Sequence, residues 1–180
     1  MVMVPIPDPC LVVLIGAAGA GKTTFAARHF DAAEILSSDR FRAAISGDEA
    51  DQHASRAAFA RLHRALARRL DLGQLTVVDA TNVERSARRA LLARAAAAGV
   101  PAVAIVLDLP MAVVLARNAA RTQRVVNETV VLHQLDRLRS TLDVSGAGLR
   151  AEGFADVVLV RDLRELEWVS LVRQPRAQPT

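Results

Sequence analysis

The chain has 180 residues, of which 52% are hydrophobic and 3% aromatic, and its net charge is +4. This length suits one domain rather than two, with a core built mainly from Ala, Leu and Val. No apolar run reaches the ~20 residues that cross a bilayer, and the N-terminal segment lacks the pattern of a signal peptide. Cys10 is the single cysteine, which rules out an intramolecular disulfide. We therefore expect a cytoplasmic protein with no membrane partner.

Arginine makes up 22 of the 23 basic residues, and Lys22 is the one lysine. The net charge is compatible with a nucleic-acid partner but does not require one. Lys22 lies in a glycine-rich segment, where a compact ammonium fits between phosphate oxygens and a planar guanidinium does not. The exception therefore indicates a phosphate site.

Strands and helices alternate in the prediction. Short apolar runs predict strands at residues 11–15, 34–36, 75–78, 103–107 and 157–160. Helices are predicted at residues 23–30, 49–72, 84–98, 112–121, 127–141 and 163–171. This order is typical of a three-layer α/β sandwich with a five-stranded parallel sheet. We expect one domain over residues 1–171, with a helical lid at about 111–143, a flexible turn at 145–148 and a disordered tail at 172–180.

The segment from Gly16 to Thr23 fits the pattern G-x-x-x-x-G-K-[ST] in full, between a predicted buried strand and a helix. Its glycines let backbone N–H groups turn toward phosphate oxygens, and the helix N-terminus adds its dipole. This predicts a P-loop NTPase-type fold in which Lys22 reaches the phosphates of a nucleoside triphosphate and the Thr23 hydroxyl holds Mg²⁺. A glycine-rich turn without a ligand is the alternative, which the context disfavours. The predicted phosphate-binding residues are Gly16, Gly19, Ala20, Gly21, Lys22, Thr23 and Thr24.

Asp39 follows the second predicted strand, and Arg42 lies three residues later on the same helical face. Phosphoryl transfer to an alcohol needs a carboxylate that accepts the hydroxyl proton, which Asp39 could supply. Asp39 could instead cap the next helix. Arg42 could hold a substrate phosphate beside this base or could be a solvated surface arginine. The spacing alone leaves these alternatives open.

Arg117 and Arg121 lie four residues apart, so one helical face presents both, and Arg124 follows them. Arginines of a closing lid can stabilise charge on a transferring phosphoryl group. An ordinary basic helix face is the alternative, which the spacing favours slightly. Asp79 follows the third predicted strand in the position of a Walker B carboxylate, where it could orient magnesium-bound water or Arg42.

Several of these segments match one family together. The chain resembles the 5′-hydroxyl polynucleotide kinase domain of bacterial polynucleotide kinase–phosphatase, an RNA-repair enzyme, from about residue 11 to 160. The P-loop is generic, whereas SSDRFR at 37–42, VVDATN at 77–82 and RNAAR at 117–121 are more specific. No segment here resembles the phosphatase and adenylyltransferase domains of the family's full-length enzyme, which leaves both an isolated domain and a stand-alone kinase open.

The resemblance implies transfer of the γ-phosphate of ATP, or of another NTP, to the 5′-OH end of RNA or DNA, with Mg²⁺ or Mn²⁺. It assigns Lys22 and Thr23 to the donor phosphates and the metal, and Asp39 to the proton of the hydroxyl. The remaining assignments are Arg42 to the neighbouring nucleic-acid phosphate, Asp79 as its support, Arg117, Arg121 and Arg124 to the donor phosphates as lid arginines, and Gln52 and Val131 to the acceptor strand. Other RNA-repair domains or proteins are conceivable partners.

Two other functions stay open. A small-molecule kinase, acting for example on a sugar or antibiotic hydroxyl, would use the same loop and base with a closed polar pocket. A non-catalytic nucleotide-binding module would bind ATP without turnover. The few aromatic residues predict loose selection of the donor base, and the sequence leaves the oligomeric state open.

Overall fold

The computed structural model describes residues 2–46, 55–122, 124–143 and 145–175. Its strands are β1 (Val2–Asp8), β2 (Leu11–Ile15), β3 (Ile35–Ser37), β4 (Thr76–Asp79), β5 (Ala102–Leu107), β6 (Asp156–Val160) and β7 (Val169–Pro175). Its helices are α1 (Lys22–His29), α2 (Ser38–Ser46), α3 (Ser55–Asp71), α4 (Arg85–Ala97), α5 (Met111–Ala119), α6 (Glu128–Thr141), α7 (Ala147–Glu152) and α8 (Leu163–Trp168), with a 3₁₀ turn at Ala32–Glu34. None of the described helices is both long and apolar enough to cross a bilayer.

Five parallel strands form the central sheet in the order β3–β4–β2–β5–β6. Every residue of β2 and β5 is buried, as a parallel sheet covered on both faces requires. Alternate residues of β2 enter two separate cores: Val12 and Leu14 pack with Phe25 of α1, whereas Val13 packs with Leu66 of α3. The predicted α/β class, with helices around a five-stranded parallel sheet, is confirmed.

The strand order places a ligand site at the carboxyl edge of β2. The chain runs outward from β2 to β3, returns through β4, and then crosses β2 to reach β5 on its other side. Open α/β sheets bind ligands where the strand order reverses in this way. The predicted site residues Lys22, Asp39 and Asp79 all follow or end strands at this edge.

A second, two-stranded sheet corrects the prediction for the C-terminal segment. Strand β7 pairs with β1 in parallel, from Val2 opposite Val169 to Asp8 opposite Pro175. Residues 172–175 are therefore ordered in a strand, and the predicted helix at 163–171 ends at Trp168. The three prolines in residues 5–9 argue against a strand, but a two-stranded sheet has only edge strands, where a missing N–H is tolerated.

Other boundaries also differ from the prediction. The predicted turn at 145–148 runs into α7, which begins at Ala147. The predicted helix at 49–72 is observed from Ser55 to Asp71, and its first residues lie outside the described part of the chain. A separate helix, α2, begins directly after β3, so Asp39 lies inside its first turn.

Arg88 is the largest fully buried side chain and joins α4 to α7. Its Nε and Nη2 donate to the two carboxylate oxygens of Glu152 at 2.8 and 2.7 Å, and its Nη1 donates to the carbonyls of Asn82 and Val83 at 3.1 and 2.6 Å. Arg88 is therefore a buried clamp on the loop after β4.

We predict that Arg88→Met destabilises the fold by about 3–5 kcal/mol, because Glu152 and two loop carbonyls lose their donor inside the protein. Urea unfolding measures the free energy of unfolding. The matched control is Arg89→Met, at the exposed neighbouring position, which should leave stability nearly unchanged. Equal stabilities of the two variants would contradict the proposed clamp.

Cys10 is fully buried just before β2. Burial and, to a smaller extent, the nearby Asp8 carboxylate raise the pKa of its thiol to about 12. A thiol with a raised pKa holds its proton at neutral pH and is a poor nucleophile. Cys10 therefore packs in the core as a small apolar side chain.

We predict that iodoacetamide alkylates Cys10 about 1000-fold more slowly at pH 8 in the folded protein than in denaturant, because the thiolate is the reacting species. In the unfolded chain the rate should rise as pH approaches 9.0, the ordinary thiol pKa. Mass spectrometry over time measures the rate. Equal rates in the two states would show that the thiol is accessible.

Candidate active site

The loop between β2 and α1 has the shape of a phosphate cradle. Gly19 and Gly21 adopt φ values of +90° and +96°, which side-chain-bearing residues rarely adopt. A Cβ on Gly19 would lie 2.5 Å from the carbonyl oxygen of Val114, so α5 packs directly on the loop. Only glycine satisfies both the backbone conformation and this close approach.

Lys22 lies beneath the loop with 8% of its surface exposed. Its Nζ donates to the carbonyl oxygens of Gly16 and Ala17 at 2.8 and 2.9 Å. Burial lowers the pKa of this ammonium to about 8, and the Asp79 carboxylate opposes the shift. An ammonium carries three N–H donors, so these two bonds leave one for an incoming phosphate.

Thr23 and Asp79 meet across the sheet edge. The Thr23 hydroxyl donates to Oδ2 of Asp79 at 2.8 Å. Burial raises the pKa of Asp79, whereas the bond from Thr23 and the charge of Lys22 lower it. This pair of hard oxygen ligands suits Mg²⁺ bound jointly with phosphate oxygens. Within residues 2–46, 55–122, 124–143 and 145–175, no group of three or more His, Cys, Asp and Glu side chains could hold a metal ion.

Three further hydrogen bonds hold the P-loop and the end of β2, and the sequence does not predict the residues that make them. The N–H of Gly16 donates to the carbonyl of Thr81 at 3.0 Å, and the Asn82 side chain donates to the Leu14 carbonyl at 2.8 Å. Gln134 of α6 accepts the Ala18 N–H at 2.8 Å. The only sequence signal for these contacts is the position of residues 81 and 82 directly after Asp79.

A cavity of about 460 Å³ opens over the P-loop and forms the candidate donor site. Its far wall comes from Leu166 and Glu167, so the cavity extends from the P-loop to α8. Its volume lies in the range of small-ligand sites. The other lining residues are Gly19, Gly21, Lys22, Thr23, Thr24, Phe25, Arg28, Arg117 and Arg121.

Gly16 and Ala20, predicted to bind phosphate, do not line this cavity. The Gly16 N–H is used by the carbonyl of Thr81, and the N–H of Ala20 donates to the Ala17 carbonyl at 3.1 Å within the loop. Both residues are buried. They shape the cradle from behind, whereas the cavity is formed by the residues from Gly19 and Gly21 onward.

A second cavity, of about 360 Å³, adjoins the first and forms the candidate acceptor site. The two cavities share Thr23 and Arg121, so a group crossing between them passes these side chains. The remaining lining residues are Ser37, Asp39, Arg40, Ala120, Thr122 and Arg124.

Asp39 is paired with two arginines at this second cavity. Arg42, one turn later on α2, donates through Nη2 to Oδ1 of Asp39. Arg124 donates through Nη1 to the same oxygen at 3.0 Å. Arg42 is 8% exposed, so it is not a solvated surface residue. Asp39 bonds to side chains in the cavity, which favours a functional role over helix capping.

The three predicted lid arginines separate in space. Arg117 lies beside Gly21 in the donor cavity, with its Nη1 3.3 Å from where a Cβ would be. Arg121 follows the end of α5 and lines both cavities. Arg124 corrects the prediction, because it bonds to Asp39 on the acceptor side and does not line the donor cavity.

The two residues predicted to face the acceptor strand differ in outcome. Val131 is 0% exposed and packs in the core with Val114 and Leu135. The prediction for Val131 is therefore wrong, since α6 turns this side chain inward to cover the sheet. Gln52 lies outside the described residues.

Residues 11–144, well over half of the chain, match the family of AAA domains. The protein belongs to this family. No curated protein matches its sequence.

Solved structures show the same fold at low sequence identity. A chain of the Pnkp1/Rnl/Hen1 RNA repair complex has a TM-score of 0.64 and 20% identity, covering 76% of this protein and 46% of that chain. A proposed kinase from Chloroflexus aurantiacus has a TM-score of 0.59 and 18% identity, with 89% and 96% covered. A gluconokinase from Sinorhizobium meliloti has a TM-score of 0.52 and 19% identity, with 89% and 91% covered. The AAA domain therefore has a P-loop kinase-like fold and spans about half of the RNA-repair chain.

We predict that Lys22→Arg weakens triphosphate binding at least about 10-fold although the charge is kept, because a planar guanidinium does not fit between the Gly16 and Ala17 carbonyls. Titration with a fluorescent ATP analogue measures the affinity, and thermal unfolding checks that the variant is folded. A folded arginine variant that binds ATP like the wild type would contradict this assignment of Lys22.

Proposed function

We propose that this protein transfers the γ-phosphate of ATP, or of another nucleoside triphosphate, to the 5′-hydroxyl end of RNA or DNA during nucleic-acid repair. One observation carries the proposal. The carboxylate of Asp39 lies in a cavity that joins the donor cavity, and the arginines at positions 40, 42, 121 and 124 line that cavity or pair with the carboxylate. A basic cavity around a potential general base suits an acceptor that carries its own phosphate.

On the donor side, the backbone around Gly19 and Gly21 binds the phosphates, and Lys22 neutralises their charge. Arg117, on α5, and Arg121, just after α5, stabilise the charge on the transferring group. Thr23, with Asp79 behind it, would hold Mg²⁺. A metal ion held there would supply positive charge that offsets the charge developing on the phosphate oxygens. These roles follow from the residues that line the donor cavity.

On the acceptor side, Asp39 takes the proton of the attacking hydroxyl. The hydroxyl oxygen bonds to the γ-phosphorus, the bond from this phosphorus to the bridging β–γ oxygen breaks, and the nucleoside diphosphate leaves with that oxygen. Both arginines bond to Oδ1 of Asp39, so Oδ2 is the oxygen positioned to accept the proton. Arg42 and Arg124 pair with this carboxylate and can bind the acceptor phosphate.

A small-molecule kinase is the second candidate. The acceptor cavity has a volume of about 360 Å³, which is in the size range of small-ligand sites, so a single nucleotide or a phosphorylated sugar could occupy it. A gluconokinase is among the proteins of similar fold. The basic lining favours an anionic acceptor but does not by itself require a long one.

The deciding experiment offers both kinds of acceptor. The protein is incubated with Mg²⁺ and γ-labelled ATP, with a 5′-OH oligonucleotide, the matching 5′-phosphorylated oligonucleotide, or gluconate and other sugars. We expect label on the 5′-OH oligonucleotide alone, with steeply falling efficiency as salt rises. Label on a sugar with a flat salt response would favour the second candidate. ATP binding with no transfer to any acceptor would support a non-catalytic module.

We predict that Asp39→Asn lowers the transfer rate about 10²–10⁴-fold, because the amide cannot accept the hydroxyl proton. ATP affinity should stay at the wild-type value, since Asp39 lines the acceptor cavity and not the donor cavity. The control is Asp71→Asn, an exposed change at the far end of α3. If Asp39→Asn loses ATP binding and transfer together, its role as the base is wrong.

A further inference from the structure

We propose that the acceptor strand runs across the start of α4, with a base in a cleft beside Phe59 and the following phosphates on Arg85 and Arg89. This inference rests on the proposed function and extends it, because it gives the path of the strand beyond the reacting end. A small acceptor would have no use for such a path.

The first part of the path is a cleft of about 330 Å³ between α3 and α4. Phe59 borders the cleft and is 40% exposed, although the chain has only five phenylalanines and one tryptophan. An exposed aromatic ring can serve as a stacking platform for a base. The cleft also offers polar edges to a base. Its other lining residues are Leu62, His63, Val78, Asn82, Ser86, Ala87 and Leu91.

The second part is a basic cavity of about 560 Å³ on the other side of α4. Arg85 and Arg89 lie four residues apart in the first turns of this helix, and both are exposed. Ser86 lines both this cavity and the Phe59 cleft, so the two are continuous across the helix start. The remaining lining residues are Leu92, Ala151 and Glu152.

The carboxylates near this cavity are already paired. Glu152 accepts both bonds from the buried Arg88, and the Arg85 Nε lies 3.7 Å from it. Glu84 pairs with Arg137 at 3.3 Å. Arg85 keeps 79% of its side chain exposed and can reach an outside phosphate. Arg89 adds a second positive charge that no described acidic residue neutralises through a salt bridge.

The cleft lies at the same sheet edge as the proposed base. In the pairing of β3 with β4, Ser37 lies opposite Asp79. Ser37 comes two residues before Asp39, and Asp79 directly follows Val78, which lines the cleft. Helix α2, which carries Asp39, packs on α3, which carries Phe59. The start of α4 follows the same β4 loop. One strand of nucleic acid can therefore pass from the acceptor cavity to the cleft and on to the arginines.

The combination of an aromatic platform and exposed arginines is typical of proteins that bind single-stranded nucleic acid. Burial of Val131 removes the acceptor contact that the sequence predicts on α6. The α3–α4 side provides a surface with both features next to the β4 loop. A sugar or a single nucleotide would bring no phosphate to Arg85 and Arg89, so this path separates a long acceptor from a short one.

The experiment compares acceptor lengths in Arg85→Ser/Arg89→Ser. Substrates are a 5′-OH oligonucleotide of about 15 nucleotides and a 5′-OH nucleoside 3′-monophosphate. We expect KM for the long acceptor to rise about 10-fold with kcat unchanged. The slope of its affinity against salt concentration, on logarithmic axes, should become shallower by the amount that corresponds to about two lost phosphate contacts. KM for the short acceptor should not change. The matched control is Arg64→Ser/Arg68→Ser, a second exposed pair four residues apart on α3, which should leave both substrates unaffected.

Phe59→Ala tests the cleft separately and should raise KM for the long acceptor about 10-fold, because one stacked base is lost; Phe59→Tyr should restore it. Binding of a labelled single-stranded oligonucleotide, measured by fluorescence anisotropy, gives the same ranking without turnover. Unchanged binding in both the arginine and Phe59 variants would overturn this path. Absence of transfer by the wild type, with oligonucleotide binding that still depends on Arg85 and Arg89, would instead reject the proposed function and keep the path.

Discussion

The hydrogen bond from the Gly16 N–H to the Thr81 carbonyl joins the P-loop to the loop that follows β4. The residues of the donor side are placed relative to this junction. Asp79, two residues before Thr81, accepts a hydrogen bond from the Thr23 hydroxyl. The side chain of Asn82, directly after Thr81, donates a hydrogen bond to β2, the strand that leads into the P-loop. Arg88 then secures the same loop from inside the protein. The donor side is therefore one unit built from two loops at the same sheet edge, the P-loop after β2 and the loop after β4, which these hydrogen bonds join.

The acceptor side is held differently, through charges on separate helices. Arg42 on α2 and Arg124 after α5 converge on one oxygen of Asp39. Arg124 comes from the segment that the sequence assigns to a lid, so the same segment contributes Arg117 to the donor cavity and Arg124 to the acceptor cavity. An incoming phosphate can replace Asp39 as the partner of Arg124, because both offer anionic oxygens to the guanidinium.

Much of the fold and the donor site could be predicted because their signals are local. Buried parallel strands are short apolar runs, and the P-loop pattern fixes both its glycines and Lys22. Partners distant in sequence could not be predicted. Neither the pairing of Arg124 with Asp39 nor the burial of Arg88 against Glu152 follows from spacing, since each needs the packing of separate elements. Val131 shows the same limit, because helical periodicity alone does not tell which face of α6 covers the core.

The pairing of β1 with β7 has a consequence for the order of folding. These strands lie at opposite ends of the described chain, and Ile6 and Val169 pack into the core that contains Phe25 and Leu14. Closing so long a loop costs more chain entropy than any pairing in the central sheet, where successive strands are far closer in sequence. The central sheet, with its candidate nucleotide site, can thus form before the two-stranded sheet closes.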